Sequence, residues 1–82
     1  MITIEELQTT DKKVAYVVMR DYLSGKLCSC QQSVATLRAN ASMKIEEAEA
    51  QGKEPPAQFE DWFFDREDCV EYVIEKNMEG RK

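Results

Sequence analysis

The chain has 82 residues, a net charge of −5, 43% hydrophobic residues, three cysteines and no histidine. That length makes one domain with an expected radius of gyration of about 12 Å, and the hydrophobic content is enough for a core, which excludes disorder throughout. The charge is uneven: residues 1–41 carry four acids and five bases, whereas residues 42–82 carry twelve acids and six bases. Direct binding to a phosphate backbone is therefore not expected, because that affinity comes from Lys and Arg.

Met1 to Gln8 has two early acids and no basic, apolar leader, and no apolar run approaches membrane-spanning length. The expectation is a cytoplasmic protein with no membrane contact, and an odd number of cysteines fits a reducing compartment better than a disulfide framework.

Thr3 with Glu6 forms a capping-box pattern, which predicts a short helical turn over Ile4 to Gln8. Next, Val14, Ala15, Val18, Met19, Tyr22 and Leu23 fall at spacings that gather on one helical face, so the pattern predicts a helix over 11–24 stopped by Gly25. The same stretch is rich in β-branched residues, and Ser24, Gly25 and Lys26 would close a hairpin instead, but the periodicity favours the helix. The stripe Val34, Leu37, Ala41, Ile45 and Ala48 predicts a second helix over 29–51, about 35 Å long, ending at Gly52. Gly52 to Gln58, with Pro55 and Pro56, reads as a loop.

Ala57 to Phe64 fits either a helical turn after the prolines or a short strand. Asp65 then caps a third helix over 66–78, with Val70, Val73, Ile74 and Met78 inward, Cys69 at the edge and Gly80 as the stop. The predicted fold is mainly α, a compact bundle of three principal helices (11–24, 29–51, 66–78) with a short N-terminal turn. The alternative is a small α+β domain with strands near 14–30 and 59–64.

No stretch carries a catalytic, cofactor or metal signature. Cys28, Cys30 and Cys69 would need a fourth ligand from a chain without histidine, and a nucleophilic thiol would lack the usual base. Glu60, Asp61, Asp65, Glu67 and Asp68 form a carboxylate cluster explained by capping and solvation, since Trp62, Phe63 and Phe64 stand where a calcium loop needs ligands and a glycine.

Phe59, Trp62, Phe63 and Phe64 cannot all point one way on a regular element, so at least one is expected at the surface. An exposed aromatic ringed by Glu60, Asp61, Asp65, Glu67 and Asp68 has the composition of a partner-binding hot spot. The leading expectation is a non-enzymatic inhibitor or adaptor, of the kind phages and mobile elements encode. It would occupy a basic, nucleic-acid-binding site on a target protein. A structural protein is the second reading, dimerising through the small-residue seam Ala41, Ile45 and Ala48 on the second helix. A thiol- or metal-dependent activity is the third.

Overall fold

In a computed structural model, which describes residues 1–79, the chain is α+β. The elements are β1 (Ile2–Thr3), α1 (Ile4–Thr9), β2 (Val14–Arg20), β3 (Leu27–Ser33), α2 (Val34–Ala50), β4 (Gln58–Phe59), β5 (Trp62–Phe63) and α3 (Arg66–Glu79). This overturns the three-helix bundle: in the segment expected to be helical over 11–24, residues 14–20 form a strand and the rest is loop, and residues 29–33 of the expected 29–51 helix belong to its hairpin partner.

Strand β2 lies at the centre of a three-stranded antiparallel sheet ordered β3-β2-β5, while β1 and β4 form a separate antiparallel pair. The registers join Val17 to Cys30 on one side and to Trp62 on the other, and join Ile2 to Phe59 in the smaller pair. Strand geometry sends successive side chains to opposite faces. Ala15, Val17 and Trp62 are buried with Val34, Leu37 and Ala41 of α2, and Ile2, Leu7 and Phe59 complete that cluster. The opposite face carries Tyr16, Val18 and Phe63 against α3, whose buried residues are Cys69 and Val73. The sheet thus lies between α2 and α3, each burying one face of it.

The helix starts follow from local chemistry. Thr3 Oγ1 accepts from the Glu6 backbone N–H at 3.1 Å, and the Thr3 N–H donates to Glu6 Oε1 at 3.1 Å, so the expected capping box forms. Ser33 caps α2 by accepting from the Thr36 N–H at 3.1 Å, which fixes the helix start at Val34, the first residue of the apolar stripe, rather than at the expected position 29. At 17 residues α2 is about 25 Å long rather than 35 Å. Asp65 accepts from the Glu67 N–H at 3.1 Å and opens α3 as expected. The inward face of α3 differs from the prediction. Cys69 is fully buried, whereas Ile74 and Met78 are 54% and 66% exposed. Gly80 lies outside the described residues.

The radius of gyration is 13.8 Å, with extents of 37 × 31 × 19 Å. The excess over the 12 Å expected of a compact chain reflects a flat shape. Among the described residues no helix is long and apolar enough to cross a membrane.

Candidate functional site

The β2–β3 connection is ordered by its own polar groups. Asp21 donates its N–H to the Lys26 carbonyl and accepts from the Gly25 N–H, both at 2.8 Å. Its carboxylate takes the Leu23 N–H and the Ser24 hydroxyl, each at 3.0 Å, while the Arg20 guanidinium donates to the Gly25 carbonyl. Gly25 adopts φ +72°, which closes the loop at a position where a side chain would be strained. These bonds hold a defined tip, yet Tyr22 and Leu23 at that tip are each 99% exposed.

Between α2 and strand β2 lies a groove of about 510 Å³ whose lining is part polar, with Lys44 and Glu47 among its residues. Val17, Leu37 and Trp62 line its buried side, and the half-exposed Met19 and the exposed Met43 stand on its borders. Methionine is unbranched and polarizable, so such borders adapt to varied apolar surfaces. Two adjacent large apolar residues between Asp21 and Gly25 are a turn-tip signal that helical spacing conceals.

The aromatic segment is arranged differently from the sequence-based expectation. Phe59 and Trp62 stack with ring centroids 4.2 Å apart and are 8% exposed each, so both are core residues. Phe63 and Phe64 are half-buried; Phe63 packs on Tyr72 at 5.3 Å, and Lys12 Nζ sits 5.5 Å from the centre of the Phe64 ring.

Glu60, Asp61, Asp65, Glu67 and Asp68 are all exposed. None pairs with a described Lys or Arg, and Lys76–Glu79 is the single ion pair among the described residues. Asp61 receives the Tyr72 hydroxyl at 3.3 Å, and its carbonyl accepts from the Val18 N–H at 2.9 Å. Desolvation, followed by the nearby Asp61 carboxylate, raises the Tyr72 phenol above its ordinary value.

The seam proposed for self-association is largely turned into the chain itself. Ala41 is buried, Ile45 and Ala48 are half-buried, and a cavity of about 380 Å³ under α1 is lined by Ile4, Leu7, Ala41 and Ile45. Arg38 ties α1 to α2 by donating to the Leu7 carbonyl at 3.0 Å and the Thr10 carbonyl at 2.9 Å.

Cys28 and Cys30 lie on one face of β3 with their sulfurs 3.9 Å apart, while Cys69 is buried on the inward face of α3. Desolvation against the sheet, then the contact with Cys30, raise the Cys28 thiol above its ordinary value, although the residue as a whole is exposed. A raised pKa lowers the thiolate fraction. Among the described residues no three His, Cys, Asp or Glu side chains converge as metal ligands would. Comparison with protein-family models, curated proteins and solved structures found no match.

Proposed function

We propose that this chain is a protein-binding module without chemistry of its own, whose contact surface is the β2–β3 hairpin tip and the adjoining groove. The observation that carries this reading is the complete exposure of Tyr22 and Leu23 on a loop otherwise fixed by hydrogen bonds. The hydrogen bonds fix the backbone of the turn, so docking two adjacent apolar side chains there costs little backbone freedom and is opposed only by the ordering of the side chains themselves. The groove between α2 and β2 reaches the tip-ward end of β2 at Met19, and with Met43 on its border it offers further apolar contact beside Lys44 and Glu47. The test is binding to proteins of the source organism by the native chain and by the double variant Tyr22→Ser/Leu23→Ser. Loss of a specific partner with the fold intact supports the reading, and unchanged retention rejects it.

A second reading keeps the acidic end as the working surface and a basic protein, with an exposed nucleic-acid-binding site, as the target. The observation favouring it is five exposed carboxylates between Glu60 and Asp68, none paired with a described cation. Under this reading the chain acts as an inhibitor or adaptor, with Phe63 and Phe64 as the apolar part of the contact. Binding then weakens steeply as salt rises, whereas docking through Tyr22 and Leu23 responds little to salt.

A further inference from the structure

Strand β3 is an edge strand, and the hydrogen bonds around it define which of its backbone groups are open. Lys13 accepts from the Val34 N–H and Asp21 donates to Lys26, so these pairs face one another across the ladder. By the alternation of antiparallel bonding, Cys28, Cys30 and Gln32 bond inward to β2, and Leu27, Ser29 and Gln31 point outward. The outward groups of Leu27 are both taken by Asn77 of α3, whose side-chain carbonyl accepts from the Leu27 N–H at 2.9 Å and whose amide donates to the Leu27 carbonyl at 3.0 Å. Among the described residues, the N–H and C=O of Ser29 and Gln31 have no such partner.

Exposed edges are normally blunted by charge, proline or a bulge. From Leu27 to Ser33 the strand Leu-Cys-Ser-Cys-Gln-Gln-Ser has no charge and no proline, and it pairs residue for residue with β2 without a bulge. Helix α3 adds a second feature on the same side. Val70, Ile74 and Asn77 share one helical face, and since Asn77 reaches the outer edge at Leu27, Ile74 lies beside that edge, with Met78 one turn on. Ile74 and Met78 are the exposed apolar residues of this helix.

We propose that two copies of the chain pair edge to edge through β3, antiparallel about a two-fold axis, forming one continuous six-stranded sheet. The register follows from the open groups. Pairing Ser29 of each copy with Gln31 of the other satisfies every open group of both residues in both strands, and it places Cys30 opposite its counterpart on the axis. Centring the pair on Ser29 instead would set Gln31 against Leu27, whose groups Asn77 already occupies. A two-fold contact is self-complementary, and an uncharged strand suits it in a chain whose net charge of −5 opposes association elsewhere. Ile74 of each copy is carried towards the other below the new sheet.

The test is the solution mass of the full chain in reducing buffer at rising concentration. The expected mass is twice the 9.5 kDa of the monomer, and association strengthens with added salt because like charges are screened. Gln31→Pro removes an outward N–H without touching the β2 ladder and should return the monomer. Should that variant fail to fold, Ile74→Glu on the exposed face of α3 weakens association by about tenfold or more. In a Cys28→Ser background, copper–phenanthroline oxidation should join two Cys30 thiols, each losing one proton and one electron to the oxidant. Non-hydrogen-bonded pairs place Cα atoms about 4.5 Å apart, within disulfide reach. A mass that stays at the monomer value, a dimer indifferent to both substitutions, or no Cys30 cross-link overturns the proposal.

Discussion

The Asn77 side chain bonds both the N–H and the C=O of Leu27, at 2.9 and 3.0 Å, so an amide on α3 does the work of a neighbouring strand at the outer end of β3. Both bonds are part-buried and both span fifty residues of sequence. Asn77→Ala leaves a donor and an acceptor of Leu27 without their partners and should cost about 1–3 kcal/mol. Asn77→Asp keeps the acceptor but sets a carboxylate against the Leu27 carbonyl, so it should not restore the native stability. Urea titration of the three proteins compares them directly.

Trp62 is the single tryptophan and stacks on Phe59 inside the core. Trp62→Ala should therefore destabilise by about 3–5 kcal/mol, through lost burial and a cavity. Any loss of partner binding in that variant would report unfolding, so surface variants are needed to map the contact. The native fluorescence of Trp62 should lie to the blue and shift red in a single transition on unfolding.

Ser33 sits where β3 becomes α2, and its hydroxyl accepts from Thr36 N–H at 3.1 Å. Ser33→Ala should cost about 1 kcal/mol, whereas Ser33→Asp should retain most of the native stability. Thermal unfolding of the two variants distinguishes a capping role from mere tolerance of small residues.

Tyr72 gives a pH prediction with a definite sign. Its phenol is raised above the ordinary value of 10.0 in the folded chain. Between that value and the folded pKa the native state holds the proton more firmly than the unfolded state, so stability falls as pH rises through this window. Tyr72→Phe removes that fall and should flatten the stability profile above pH 10 relative to the native chain, as measured by chemical denaturation at several alkaline pH values.

The helix caps are legible in the sequence because they are local: Thr3 with Glu6, and Asp65 before α3, need only their neighbours. The strands are hidden because Val14, Ala15, Val18 and Met19 satisfy helical spacing, while the pairing that decides their state joins Val17 to Cys30 and Trp62 across long separations. Tertiary pairing outweighs local periodicity there. Gln31 and Gln32 are compatible with a helix, and the Ser33 cap alone marks where it begins. The exposure of Tyr22 and Leu23 follows from the hairpin, so it becomes visible only once the strands are recognised. Ile74 and Met78 are exposed because α3 turns Cys69 and Val73 to the sheet, a rotation that the sheet sets and the stripe does not.

The most direct test of the binding-module reading compares the native chain with Tyr22→Ser/Leu23→Ser in affinity capture from a lysate of the source organism, at low and at high salt. Exposed substitutions of this kind should change stability by less than about 0.5 kcal/mol, so circular dichroism should match. The predicted result is a specific protein retained by the native chain at both salt concentrations and lost by the variant. Retention of the same protein by both chains, or its release by salt alone, would contradict the hairpin-tip account.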